Sequence, residues 1–116
     1  MALAIDRARK LGTPSDGAKH EGALITTRDS IVVCTFGDAS LNHSTAQGAI
    51  NAASWAAYQR VPVPVLFVCE DNGIGVSVRT PAGWVEARMR GMPEMAYVAA
   101  NGTDLSNVHD LSLIHI

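Results

Sequence analysis

The sequence predicts an α/β domain built around a parallel sheet, from the order of three segments. Two apolar segments rich in β-branched residues, 31–36 and 63–69, lie on either side of an alanine-rich segment, 45–59. Strand, helix and strand in that order are typical of a βαβ unit, in which the helix connects two parallel strands. With 116 residues, the chain has enough material for one core.

Both predicted strands have the character of interior strands. The first reads Ile-Val-Val-Cys-Thr-Phe and ends at Gly37, without the alternation of apolar and polar residues that a half-exposed strand shows. The second has the same character, and its Pro64 removes one ladder donor, which is tolerated at the start of a strand. We therefore expect both strands to be buried on both faces.

The alanine-rich segment predicts the helix between the strands. Its apolar residues recur at steps of three and four, which places them on one helical face. Ser44, followed three residues later by Gln47, matches a capping box, in which each side chain accepts a hydrogen bond from an open backbone donor. The helix is therefore expected to begin near Thr45.

Weaker signals predict the remaining elements. They indicate the end of a helix at 3–11, an irregular loop at 12–28, a loop with one helical turn after Gly75, and a third strand at 95–100 that closes in a turn at Asn101-Gly102.

Composition and charge exclude several function classes. The charged share is 17%, the formal net charge is −2 and the pI is about 6.0, which gives no global electrostatic reason to bind nucleic acid or an anionic membrane. Cys34 and Cys69 lie inside apolar segments without metal-ligand spacing, which is typical of reduced thiols. No signal peptide is evident, so we expect a cytoplasmic location.

Polar residues follow both predicted strands. Asp38 comes directly after the first strand, and Asp71-Asn72 follows the second. Ligands of open parallel sheets collect outside the carboxyl ends of the strands, where a carboxylate and an amide oxygen suit Mg²⁺ rather than zinc. A helix start near residue 44 favours an anion beside it, so cation and anion together indicate a diphosphate.

The residues alone leave a plainer alternative open. Gly-Asp and Asp-Asn-Gly are also common turn sequences, and such turns need no ligand. The glycines do not form the Gly-x-Gly-x-x-Gly pattern of dinucleotide sites, and no Walker-type Gly-Lys-Ser/Thr occurs.

Two longer blocks resemble a known family. Phe36-Gly-Asp-Ala-Ser-Leu-Asn-His-Ser-Thr-Ala-Gln-Gly-Ala-Ile-Asn51 and Val65-Leu-Phe-Val-Cys-Glu-Asp-Asn-Gly-Ile-Gly-Val-Ser77 resemble the alpha component of thiamine-diphosphate-dependent 2-oxoacid dehydrogenases of the branched-chain and pyruvate type. They contain a form of the bipartite thiamine-diphosphate signature, usually Gly-Asp-Gly and then Asn-Asn. The resemblance extends from about Ser30 to Asp104. It implies a three-layer parallel-sheet thiamine-diphosphate-binding fold, of which residues 1–111 are an incomplete part. Residues 112–116 do not continue the family pattern and are expected to be a non-native tail.

The resemblance also implies a reaction and roles for matching residues. The reaction is oxidative decarboxylation of a 2-oxoacid with acyl transfer to lipoamide, with thiamine diphosphate and Mg²⁺ as cofactors. The implied partners are a beta component or fused pyrimidine-binding domain and a lipoamide-bearing acyltransferase. The implied metal ligands are Asp38, Asn72 and the carbonyl oxygen of Ile74. The implied cofactor-binding residues are Gly37, Asp38, Ala39, Ser40, Asn72 and Ile74.

Two positions depart from the usual signature. Ala39 stands where glycine is usual, and Asp71 stands where the first asparagine is usual. A non-catalytic interaction module that has lost cofactor binding is therefore an alternative, and a transketolase-like enzyme is a weaker one. The family places the catalytic acid in another domain or chain, so no catalytic residue is assigned. His43 is expected to be a capping or surface residue rather than a ligand.

Overall fold

The computed structural model describes residues 30–113, with side chains described to residue 111. The elements, in chain order, are β1 (Val32–Gly37), the 3₁₀-helix η1 (Asp38–Asn42), α1 (Ser44–Tyr58), β2 (Val65–Glu70), α2 (Trp84–Met89) and α3 (Leu105–Leu113). The predicted helix at 3–11 and loop at 12–28 lie outside the described residues.

The βαβ unit is confirmed. β1 and β2 pair in parallel, in a register that runs from Val32 opposite Val65 to Gly37 opposite Glu70. Both strands therefore end at the same edge, where the chain turns into η1 after β1 and into a loop after β2. This register brings the two polar segments of the sequence together.

Helix α1 occupies the predicted segment but has a different cap. It begins at Ser44, and its N-cap is His43, whose extended backbone lets Nδ1 accept a hydrogen bond from the Thr45 N–H at 3.2 Å. The predicted Ser44 cap is wrong because Ser44 is already helical, whereas a cap needs non-helical backbone angles. The capping role expected for His43 is confirmed.

The core lies where α1, η1 and α2 meet the sheet. Its buried residues are Leu41, Ile50, Val85, Met89 and Met92. Phe36 and Phe67, from neighbouring strands, pack against this cluster with their rings 6.4 Å apart in an edge-to-face arrangement. Each of the three helical elements around the site thus has at least one side chain in the core.

The opposite face of the sheet is exposed within residues 30–113. Val33 is 55% exposed, and its neighbours Leu66 and Val68 are 46% and 39% exposed. The prediction that both strands are buried on both faces is wrong for the described part, because α1, η1 and α2 cover only one face of the sheet.

The predicted third strand at 95–100 does not form in the described part of the chain. The segment has no assigned ladder, although Met95 and Tyr97 pack against the core while Ala96 and Val98 are exposed. The alternating burial of residues 95–98 thus reflects one-sided packing, and no strand in the described part of the chain pairs with this segment.

The helical turn predicted after Gly75 is confirmed, since α2 is a short helical segment in the loop-rich region. A further helix, α3, which the sequence interpretation did not predict, begins directly after Asp104. Asp104 Oδ1 caps α3 by accepting hydrogen bonds from the N–H groups of Ser106 and Asn107, at 3.0 and 3.2 Å. Within residues 30–113, no helix is both long enough and apolar enough to cross a membrane.

We expect Leu41→Ala to destabilise the fold strongly. Leu41 is 1% exposed and joins η1 to the core, so truncation leaves a cavity and should lower the free energy of unfolding by about 2–5 kcal/mol. Urea denaturation measures this loss. The control is Asn51→Ala on the exposed side of α1, and equal losses in the two variants would contradict the assigned core.

Candidate functional site

Asp38 is a buried carboxylate at the end of a strand. It is the first residue of η1 and is 1% exposed. Its Oδ1 accepts a hydrogen bond from the Ala39 N–H at 2.8 Å, whereas its Oδ2 is buried without a hydrogen-bond partner among the described residues. A buried carboxylate oxygen without a partner is costly, so Oδ2 is suited to a cation or a strong donor.

The loop after β2 contains a small hairpin that directly follows Asn72. Its backbone is closed by hydrogen bonds from the Gly75 N–H to the Val78 oxygen at 2.7 Å and from the Thr80 N–H to the Gly73 oxygen at 3.2 Å. Gly73 has a φ of +72°, which favours glycine. These bonds make residues 73–80 one ordered unit, which we call the β2 hairpin.

The Asn72 side chain is held by this hairpin. Its Oδ1 accepts a hydrogen bond from the Ile74 N–H at 2.9 Å. An amide oxygen has two lone pairs, so one remains for a metal ion. The hydrogen bond orients the amide group and leaves it chemically able to act as a ligand.

The β2 hairpin touches η1 beside Asp38. A Cβ placed on Gly75 would lie 2.8 Å from the Cβ of Ala39 and 2.9 Å from the carbonyl oxygen of Val78. The methyl group of Ala39, unusual in the signature, thus fits because residue 75 is glycine. The sequence interpretation missed Gly75, although the Gly-Ile-Gly pattern after Asn72 was a signal for it.

A second contact joins η1 to α2, the helix that follows the β2 hairpin. The indole N–H of Trp84 donates a hydrogen bond to Asn42 Oδ1 at 3.0 Å. Asn42 is the last residue of η1 and Trp84 the first of α2. No sequence pattern indicated this pair, because 42 residues separate its members and neither belongs to the signature.

The remaining predicted residues lie around this edge. Gly37 ends β1, Ser40 lies exposed on η1, and Ile74 lies in the β2 hairpin with its side chain 65% exposed. The N–H of Ala39, expected to face a diphosphate, instead donates to Asp38.

Acidic groups set the electrostatics of the edge. Burial, followed by the negative charges of Asp71, Asp38 and Glu70, raises the pKa of the Cys69 thiol to about 11. The three carboxylates thus act on one thiol at the end of β2. A negative potential of this kind favours a cation over a free anion.

A second titratable group with a raised pKa is Tyr97, which packs against the core. Burial, followed by the charge of Glu86, raises the pKa of Tyr97, while Arg90 lowers it. The Arg90 guanidinium lies 5.1 Å from the centre of the Tyr97 ring and pairs with Glu86 at 2.7 Å. Arg90 is therefore engaged with its neighbours.

No group of three or more His, Cys, Asp or Glu side chains within residues 30–113 is arranged to hold a metal ion. The predicted ligand set is of another kind, since it combines one carboxylate, one amide oxygen and one backbone carbonyl. Magnesium commonly completes such a partial set with substrate phosphates and water.

A family model described as "Dehydrogenase E1 component" matches residues 5–113. The chain belongs to the dehydrogenase E1 component family. This confirms the resemblance to the alpha component of 2-oxoacid dehydrogenases. No curated protein and no solved structure gives a significant match to this E1 chain.

We expect Gly75→Ala to disturb the E1 chain more than a glycine substitution elsewhere. The added methyl group meets Ala39 and the Val78 carbonyl, so the hairpin must shift and stability should fall by about 1–3 kcal/mol. The control Gly48→Ala adds a methyl group on α1 with nothing within 4 Å and should stabilise the helix by about 0.5–1 kcal/mol.

Thermal unfolding of both variants measures this difference. The double variant Ala39→Gly/Gly75→Ala removes one of the two clashes and should recover part of the loss. A Gly75→Ala variant as stable as the parent would contradict the close approach of η1 and the β2 hairpin.

The two cysteines should react at different rates. Cys34 is exposed, whereas at pH 8 a thiol with a pKa of about 11 is ionised in roughly one molecule in a thousand. Iodoacetamide at pH 8, followed by mass spectrometry, should modify Cys34 well before Cys69. The Cys69 rate should rise as the pH approaches 11, and a plateau below pH 9 would contradict the assigned environment.

Proposed function

We propose that this chain forms the thiamine-diphosphate- and Mg²⁺-binding part of a 2-oxoacid dehydrogenase E1 component. The reaction proposed is oxidative decarboxylation of a 2-oxoacid with acyl transfer to lipoamide. The observation that supports it best is the buried Oδ2 of Asp38, which has no hydrogen-bond partner within residues 30–113 and lies at the edge where η1 and the β2 hairpin meet.

The residues at this edge fit a magnesium ion. Asp38 would supply a charged ligand through Oδ2, Asn72 a neutral ligand through its second lone pair, and Ile74 its backbone carbonyl. Hard oxygen ligands with a single carboxylate suit Mg²⁺ when phosphate oxygens complete the coordination. Binding would also remove the cost of leaving Asp38 Oδ2 without a partner.

The diphosphate would lie against the turn that follows β1. This turn includes Gly37 at the end of β1 and Ala39 and Ser40 on η1. Helix α1 begins a few residues later, with the positive end of its dipole at that point. The Ala39 N–H would have to be shared between Asp38 Oδ1 and a phosphate oxygen. The N–H of Ser40, an exposed residue, would bind a phosphate oxygen without such sharing.

This chain's own residues would position the cofactor. Bound thiamine diphosphate supplies the carbon nucleophile chemistry that decarboxylates 2-oxoacids. Asp38 and Asn72 would anchor its diphosphate end through the metal, while the hairpin holds Asn72 in place. The catalytic acid is proposed to come from a beta component or a fused pyrimidine-binding domain.

The exposed face of the sheet supports a larger assembly. Val33, Leu66 and Val68 form an apolar surface of the kind that further layers cover in a three-layer parallel-sheet fold. We propose that this fold, completed by further elements, works in the cytoplasm with a lipoamide-bearing acyltransferase.

Calorimetric titration of the assembled E1 component with thiamine diphosphate, with and without Mg²⁺, tests the proposal. We expect Mg²⁺-dependent binding that Asp38→Asn weakens on the order of 100-fold or more, since even outer-shell metal partners commonly cost 10–100-fold. The control Asp71→Asn removes a neighbouring charge outside the ligand set and should retain binding within about threefold.

Each outcome distinguishes the proposal from its alternative. Binding that needs no Mg²⁺, or that Asp38→Asn leaves unchanged, would rule out the assigned metal site. Association with partner chains in the absence of any cofactor affinity would instead support a non-catalytic interaction module.

A further inference from the structure

Two stiff pieces of chain form the candidate site. The first is η1, a five-residue turn closed at its end by a hydrogen bond from the His43 N–H to the Ser40 oxygen at 2.9 Å. The second is the β2 hairpin, closed by its two backbone hydrogen bonds, which together form the antiparallel bridge between Ile74 and Arg79. Asp38 lies on the first piece, and Asn72 directly precedes the second.

The β2 hairpin contacts η1 directly at one point, and α2, which follows the hairpin along the chain, contacts η1 at a second point. Gly75 packs against Ala39 near the start of η1, and the segment that continues from the hairpin ends at Trp84, which bonds to Asn42 at the end of η1. One contact alone would let the hairpin pivot about Ala39. Two contacts at opposite ends of one turn fix its orientation as well as its distance.

The Trp84 end of the second contact is held by α2, which packs in the core. Trp84 is the first residue of α2. The next residue, Val85, is 3% exposed in the core, and Met89, one turn later, is 9% exposed in the core. Core packing therefore fixes the backbone at the start of α2, from which the Trp84 side chain extends. The chain between the hairpin and α2 is held at Trp84, and the bond to Asn42 passes that constraint to η1.

We propose that Asn42 and Trp84 are a positioning pair that fixes the Asn72 loop relative to Asp38. This inference rests on the proposed cofactor site and adds two residues outside its ligand set. The indole N–H is a donor only, and the Asn42 amide oxygen is its acceptor, so removing either partner breaks the same bond. Neither residue needs to touch the cofactor.

The test uses the assembled E1 component and a variant that removes only the donor. Trp84→Phe keeps an aromatic ring without an N–H group, and Asn42→Leu removes the acceptor. Each should weaken Mg²⁺-dependent thiamine diphosphate binding about fivefold, the usual net effect of one neutral hydrogen bond. Because the bond is shared, the double variant should also lose about fivefold rather than about 25-fold.

Trp55→Phe is the matched control. The chain has two tryptophans, and Trp55 is 65% exposed in the last turn of α1, at the end of the helix opposite to η1. This variant should bind with the parent's affinity. Thermal unfolding of the ligand-free variants accompanies the titrations, and Trp84→Phe should stay within about 3 °C of the parent while its affinity falls.

A spectroscopic measurement adds a readout that a purely structural role would not change. The chain is labelled with fluorotryptophan, assembled with unlabelled partners and observed by ¹⁹F NMR, with each signal assigned by its Phe variant. Thiamine diphosphate with Mg²⁺ should shift the Trp84 signal and leave the Trp55 signal in place.

Failure of the pair and failure of the site give different results. If the parent binds but Trp84→Phe binds equally well, or if the two losses add, the positioning role is overturned and the cofactor site stands. If the parent shows no Mg²⁺-dependent binding, the cofactor site itself is overturned, and the positioning role with it.

Discussion

The parallel register of β1 and β2 is the constraint on which the rest of the site depends. Because Gly37 lies opposite Glu70, the two strands end together, and the segments that follow them emerge at one edge. A shift of either strand by one residue would send its side chains to the opposite face and move Phe36 of β1 or Phe67 of β2 out of the core. Core packing and the location of Asp38 are thus fixed by one pairing.

This constraint allows a carboxylate to be buried where burial is costly. Asp38 directly follows β1 and is 1% exposed, with one oxygen bonded to the next amide and the other left without a partner in the described chain. Folding alone does not repay that cost, whereas a bound cation would. The nearby charges of Asp71 and Glu70 also favour a cation, because they make the potential around the Cys69 thiol more negative.

The sequence was sufficient to predict the strands, the helix between them and the edge where the site lies, because periodicity and strand-end residues are local signals. It mispredicted the cap of α1 and the strand at 95–100, where backbone angles and missing pairing partners decided the outcome. It could not indicate the Ala39–Gly75 contact or the Asn42–Trp84 bond, since both depend on how two distant segments pack.

Anomalous X-ray scattering from Mn²⁺, used in place of Mg²⁺ in crystals of the assembled E1 component with thiamine diphosphate, would locate the metal directly. The geometry described here predicts a single strong peak in contact with Asp38 Oδ2 and Asn72 Oδ1, at the edge shared by η1 and the β2 hairpin. A metal peak at another location, with Asp38 Oδ2 still unpartnered, would contradict the assigned role of this carboxylate.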